Sequence, residues 1–211
     1  MQAHPWRSCV ILRSMKATSL PMKYVPNAIT FARILITPVI VFLMFSEGFL
    51  AALGTLLLFV AAAISDYYDG KLARDYKVNS RLGQFMDPFA DKVLVLGTFA
   101  ALAWLMPATV PWWGVALIAL RDVVVTILRS MAEARNEPLR TLPIAKAKTT
   151  VQLVFIIAML LLLTLAEAGG QVQQVANWIL ESPIPYAMML ITVGFTVLTG
   201  LIYLLRREPA P

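Results

Sequence analysis

The sequence reads as an all-α integral membrane protein: six transmembrane helices in one bundle, with a polar cavity facing the cytoplasm. Three observations lead there. Of the 211 residues, 59% are hydrophobic and 14% charged, against about 25% charged in an ordinary soluble domain, and the mean hydropathy is +0.74. Apolar stretches near the ~20 residues that cross a hydrocarbon core of ~30 Å recur six times. The links between them alternate between basic and base-free, the pattern that sets topology in a bilayer.

Taken in order, residues 1–21 form a leader whose sole apolar run, 9–12, is too short for the h-region of a signal peptide. Met15 and Met22 are alternative starts to Met1, and neither His4 nor Cys9 is given a function. The membrane domain takes residues 22–207, and 208–211 are a tail. Pro26-Asn27 reads as a turn or helix start at the interface, so the first span runs from about 28 to 45 and the second from 49 to about 65. Pro88 lacks a backbone N–H and suits only the first turn of a helix. The third helix therefore begins near Gln84, with its apolar span over 88–106. The remaining spans cover 112–128, 149–166 and 184–205, which leaves no room for a separate soluble domain.

Basic residues number 18 against 12 acidic, a net charge of +6. In a soluble protein that excess would suggest nucleic acid; here it has a location instead. The links 46–48, 107–111 and 167–183 hold no Lys or Arg, while those around 74–81 and 129–148 and both termini hold nearly all of them. Both termini are thus expected in the cytoplasm, with the chain multi-pass in the cell (inner) membrane and no nucleic-acid partner. Trp112, Trp113 and Trp178 fall near the opposite surface, as interfacial anchors do. A single cysteine excludes an internal disulfide framework or Cys-rich metal site, and a single histidine argues against a His-based site.

Asp66, Asp69, Asp87 and Asp91 border two apolar helices, where a carboxylate at the bilayer centre costs roughly 2.5–3.5 kcal/mol on the insertion scale. Topology puts all four near the cytoplasmic surface rather than the midplane. Asp66 and Asp69 are i, i+3 and Asp87 and Asp91 are i, i+4, so each pair shares a helix face. Four unneutralised carboxylates on facing helices would repel, and hard divalent cations (Mg²⁺, Mn²⁺ or Ca²⁺) resolve the repulsion. Facing-helix carboxylates are one way to build a two-metal site in a bundle. Ion pairs to Arg74 and Lys92 would not call for four acids at these intervals. A cation transporter is the rival from another class, but it would spread its charges over several depths.

The run Asp66-Tyr67-Tyr68-Asp69-Gly70-Lys71-Leu72-Ala73-Arg74, followed by Gly83, Asp87 and Asp91, resembles the complete signature of the CDP-alcohol phosphotransferases, D-x2-D-G-x2-A-R-x8-G-x3-D-x3-D. The resemblance extends over all the spans and leaves only the leader outside. Members of that family move a phosphatidyl-type group from a CDP-linked lipid to an alcohol hydroxyl, release CMP, and are generally homodimeric. The resemblance implies that Asp66, Asp69 and Asp87 hold two divalent cations, Mg²⁺ or Mn²⁺, against the diphosphate. It implies that Asp91 completes the metal site and acts as general base. Gly70, Ala73 and Arg74 would line the cytidine-phosphate pocket beside Asp69, with Gly83 allowing close packing. Paired metals about 3.5–4 Å apart polarise phosphorus and stabilise a leaving phosphate, and an adjacent base completes in-line attack.

Narrower features resemble the branch that makes phosphatidylglycerol phosphate and cardiolipin: Tyr24 to Thr30 with Arg33, the Asp87-Pro88-Phe89-Ala90-Asp91-Lys92 run, Arg121-Asp122 with Arg129, and Lys146-Ala147-Lys148-Thr149. Asp122 stands where that branch usually has Glu, and Ala145 where it usually has Gly. An acceptor bearing a phosphate dianion needs several cations, and Arg33, Arg121, Arg129, Lys146 and Lys148 fall near the cytoplasmic ends of helices one, four and five. Arg suits bidentate phosphate contacts and Lys a point-charge contact. Arg121, about two turns inside an apolar helix, is the most telling of them. The expected substrates are CDP-diacylglycerol, whose tails stay among the membrane lipids, and sn-glycerol 3-phosphate; phosphatidylglycerol as acceptor, the cardiolipin synthase reaction, is the alternative.

Overall fold

The computed structural model describes residues 25–76, 81–134 and 143–205, and the expected leader and tail lie outside them. The described residues form seven helices: α1 Val25–Met44, α2 Phe49–Tyr76, α3 Arg81–Leu105, α4 Trp112–Ala134, α5 Pro143–Ala166, α6 Gly170–Glu181 and α7 Ile184–Leu205. Two of them, α5 over Ala147–Ala166 and α7, are long and apolar enough to cross a membrane; α1, α2 and α3 contribute shorter apolar stretches.

Helix ends depart from the apolar boundaries in three places. α2 continues to Tyr76 rather than stopping near residue 65, so the whole run from Asp66 to Arg74 is helical. α3 begins at Arg81 and α4 ends at Ala134. The cause is common to all three: Leu, Lys, Arg, Ala and Met sustain a helix whether or not its surroundings are apolar. An apolar window therefore measures the greasy part of a helix and not its length. A separate departure is α6, a helix inside the link 167–183. Gly169 and Gly170 take left-handed backbone, with φ of 80° and 65°, which ends α5 and re-aims the chain. α6 ends at Ser182, whose Oγ donates to the Ile179 carbonyl at 2.6 Å and accepts from the Ile184 amide at 3.3 Å, turning the chain into α7.

The long helices share one core. α1 packs on α2 and α3, α2 on α5, α4 on α7 and α3, and α5 on α7 and α6. Ile40, Phe59, Leu102, Ile118, Phe155 and Met189 bring α1, α2, α3, α4, α5 and α7 into it, all fully buried. Phe99 of α3 stacks on Phe155 of α5 at 5.6 Å between ring centroids and 7° between planes, a contact geometry worth about 1 kcal/mol beyond its burial.

The polarity of the bundle is inverted relative to a soluble one. Phe42, Leu50 and Trp104 are 71%, 81% and 69% exposed, among many exposed large apolar side chains. The interior holds Arg33, Asp122, Gln152 and a series of threonines. Thr37, Thr98, Thr164 and Thr192 each donate to the carbonyl one turn earlier at 2.8–2.9 Å. A threonine can be buried that way without an outside partner, and its small size lets helices approach closely.

Candidate active site

The backbone is helical through all four aspartates: Asp66 and Asp69 lie in the last three turns of α2, Asp87 and Asp91 in the first three of α3. Their i, i+3 and i, i+4 spacings are therefore true helical spacings, on the two helix ends that flank residues 77–80. Gly70, Ala73 and Arg74 lie on α2 and Gly83 on α3. The side chains of residues 66–91, and those of Arg129 on α4 and Lys146 on α5, lie outside the described residues. Four carboxylates are a hard-oxygen donor set, and their chemistry fits a divalent cation of the Mg²⁺ or Mn²⁺ kind.

Among the described residues a polar cluster forms where α3, α4, α5 and α7 meet, built around Asp122 of α4, which is 4% exposed. Lys148 of α5 donates from Nζ to Asp122 Oδ1. Arg121 donates from Nη1 to the same oxygen at 3.3 Å and from Nη2 to Thr199 Oγ1 of α7, also at 3.3 Å. Lys92 of α3 donates to the Asp122 carbonyl at 3.3 Å and to Thr126 Oγ1; that hydroxyl donates to the Asp122 carbonyl at 2.7 Å. Just beneath, Gln152 Nε2 of α5 donates to Thr196 Oγ1 of α7 at 3.2 Å.

Helix geometry explains why these side chains converge. Arg121 is near the middle of α4, roughly three and a half turns from its end at Ala134, and not the two turns expected, because α4 outruns its apolar part. At that depth a guanidinium must find polar partners inside the bundle. It finds a carboxylate on its own helix and a threonine on α7, yet its Nε stays buried with no hydrogen-bond partner among the described residues. On α5, Lys148 is the second-turn residue that meets α4 from the interior side.

Of the basic residues singled out for an acceptor phosphate, Arg121 and Lys148 are thus brought together on one carboxylate oxygen. Arg33 is buried on α1, at 4% exposure. Lys92, Thr126, Gln152, Thr196 and Thr199 were not among the expected site residues. For Lys92 the available signal was its place directly after Asp91. For the α7 threonines it was their helical spacing in an otherwise apolar segment.

The model of the CDP-alcohol phosphatidyltransferase family matches residues 23–200, nearly the whole chain. The chain is 35% identical over 158 residues to the CDP-diacylglycerol–glycerol-3-phosphate 3-phosphatidyltransferase of Cereibacter sphaeroides, covering 73% of this chain and 71% of that one. It is 36% identical over 141 residues to the enzyme of the same name from Rickettsia typhi, covering 67% and 78%. It is 35% identical over 133 residues to a probable phosphatidylglycerophosphate synthase of Mycobacterium tuberculosis, covering 62% of each. With the D-x2-D-G-x2-A-R-x8-G-x3-D-x3-D run carried on the ends of α2 and α3 that flank residues 77–80 and the family model matched over residues 23–200, the chain belongs to the CDP-alcohol phosphatidyltransferase family.

Proposed function

We propose that the protein transfers the phosphatidyl group of CDP-diacylglycerol to sn-glycerol 3-phosphate, giving phosphatidylglycerol phosphate and CMP. The observation that carries the choice of acceptor is the convergence of Arg121 and Lys148 on Asp122 in the bundle interior, with Arg121 Nε left without a partner among the described residues. A phosphate dianion is the ligand that such buried donors suit, Arg by a planar fork and Lys by a point charge. A neutral alcohol would not require them. The names of the relatives point the same way.

In this reading α1–α5 and α7 span the membrane, each having at least the 20 residues that cross ~30 Å. Both termini, the ends of α2 and α4 and the starts of α3 and α5 face the cytoplasm, where the basic links lie. α6 lies along the opposite surface with Trp178, 68% exposed, at the interface. The exposed apolar belt supports this placement, since contiguous apolar surface on that scale marks contact with lipid. The whole of residues 22–207 forms one domain, and the active form is a homodimer, as the family resemblance implies.

Asp66, Asp69, Asp87 and Asp91 would hold two divalent cations, which when bound supply charge neutralisation at the diphosphate and polarise the lipid-bearing phosphorus. Gly70, Ala73, Arg74 and Gly83 shape the cytidine-phosphate pocket on the same helix ends. Arg33, Arg121, Arg129, Lys146 and Lys148 bind and orient the glycerol phosphate. Asp91 takes the proton of the acceptor hydroxyl as its oxygen bonds to the lipid-bearing phosphorus; the phosphorus–oxygen bond to CMP breaks, and CMP leaves carrying that electron pair. The purified protein with CDP-diacylglycerol, Mg²⁺ and radiolabelled glycerol 3-phosphate is expected to form labelled lipid, and none after chelation. Turnover with phosphatidylglycerol in place of glycerol phosphate would assign it to cardiolipin synthesis instead.

A further inference from the structure

We propose that Thr199 and Gly200 of α7 form a seat that sets the position of Arg121, and so act as positioning residues for the acceptor phosphate. This rests on the reading of Arg121 as a phosphate ligand. A cation at mid-helix depth can bind a phosphate only if its long side chain is held in one course, because a free arginine loses about 2 kcal/mol of rotamer entropy when it is ordered. Both ends of that course lie against α7. Thr199 Oγ1 accepts from Arg121 Nη2 at 3.3 Å while donating its own proton to the Thr196 carbonyl at 2.9 Å. Its lone pairs are thereby turned to the guanidinium.

Gly200 does the rest by having no side chain. A Cβ built there would lie 2.7 Å from Arg121 Cγ, 3.2 Å from Nε and 3.5 Å from Cδ. The arginine stem therefore runs across the bare backbone of α7, and any larger residue would have to move it. The seat also explains how the guanidinium reaches Asp122 and Thr199 together while Nε stays buried without a hydrogen-bond partner among the described residues. Thr192, Thr196, Thr199, Gly200 and Tyr203 are all buried along α7, at spacings that keep them on one face. Tyr203, one turn beyond Gly200, likewise has a buried hydroxyl with no hydrogen-bond partner among the described residues. A polar stripe thus runs up α7 past Arg121, on a helix that carries no charged residue between Ile184 and Leu205.

The test is steady-state kinetics of the full-length protein in mixed micelles with CDP-diacylglycerol and sn-glycerol 3-phosphate. Gly200→Ala is expected to raise KM for glycerol 3-phosphate about tenfold, with KM for CDP-diacylglycerol unchanged. Thr199→Val is expected to raise it several-fold and Thr199→Ser to restore it, which keeps the proposal testable if the alanine variant fails to fold. In an Arg121→Gln background the Gly200→Ala change should add nothing, since non-additivity marks residues acting through one another. Gly114→Ala serves as the packing control: its Cβ would press on Met189 Cε at 2.9 Å and Val193 Cγ2 at 3.2 Å between the same two helices, about 10 Å along α4 from Arg121, and it should leave KM for glycerol 3-phosphate alone. Unchanged KM in Arg121→Gln itself would overturn the phosphate reading. A raised KM there but not in Gly200→Ala and Thr199→Val, or an equal rise in Gly114→Ala, would overturn the seat and leave the phosphate reading standing.

Discussion

Replacing Asp122 by Asn keeps the shape of the side chain and removes its charge. In the intact bundle one oxygen, Oδ1, holds both Lys148 and Arg121, with the carboxylate 5% exposed and the two cations 13% and 9%. Breaking a buried pair by deleting one partner costs about 3–5 kcal/mol, because the remaining charge stays behind without compensation. The asparagine amide still offers one acceptor oxygen. The Arg121 contact, at 3.3 Å, is long for a charge-assisted bond and contributes the smaller share. Together these put the loss at about 2–3 kcal/mol, chiefly from the Lys148 contact, valued as a hydrogen bond to a charged group at ~1.5–3 kcal/mol. The Lys92 bond to the Asp122 carbonyl is untouched, since it goes to the backbone. The loss would register as a shift of the unfolding midpoint in a denaturant or SDS titration in mixed micelles. A further consequence separates a ligand site from a plain ion pair: a phosphate dianion can replace the missing negative charge. Saturating sn-glycerol 3-phosphate should therefore stabilise Asp122→Asn by about 1 kcal/mol more than the parent, roughly fivefold tighter binding, while turnover falls as the charged contact between Lys148 and Asp122 is lost. An unfolding free energy within about 0.5 kcal/mol of the parent, the ordinary range for an inconsequential surface change, would refute the reasoning. An equal ligand effect on both proteins would refute its second half.

Asp91→Asn should lose turnover by at least about a hundredfold, the range a positioned base contributes, while binding of CDP-diacylglycerol in a flotation or fluorescence assay is largely retained; unimpaired turnover would remove Asp91 as the base. Orientation can be read by cysteine labelling once the single native cysteine, Cys9, is replaced by serine. A membrane-impermeant maleimide should label Gln174→Cys, on α6, in intact cells and Asn79→Cys only after permeabilisation; the reverse pattern would invert the topology.

How legible all this was in the sequence depends on which kind of physics each feature reports. Long apolar runs announced the main helices, because burial in lipid demands them over ~20 residues. They misplaced the ends, because Lys71-Leu72-Ala73-Arg74 needs no apolar surroundings to be helical, and that is why the run from Asp66 to Arg74 rides on α2. α6 was missed for the complementary reason: twelve residues containing Gln171, Gln173, Gln174 and Asn177 form no span, and only the Gly169-Gly170 pair marks where one helix stops and another begins.

The site divides along the same line. The aspartates were legible as a group because carboxylates beside apolar helices are costly enough to need a reason, and the helical backbone of α2 and α3 bears out the spacings within each pair. The same cost singled out Arg121. What no single position could disclose was its support, which is a relation between helices far apart in the chain: a threonine and a glycine on α7 beneath a side chain of α4. Thr199 and Gly200 taken alone are ordinary membrane-helix residues, common wherever helices pack closely. Their contact is with an arginine 78 residues earlier, and the acceptor site as proposed is assembled from such contacts. A signature compact enough to read along one pair of helices serves the chemistry that every member of the family shares. On the proposed reading, discrimination among acceptors would fall to Arg33, Arg121 and Lys148 on α1, α4 and α5 with their support on α7, so that exchanging one buried polar partner there would change acceptor binding and leave the aspartate run in place.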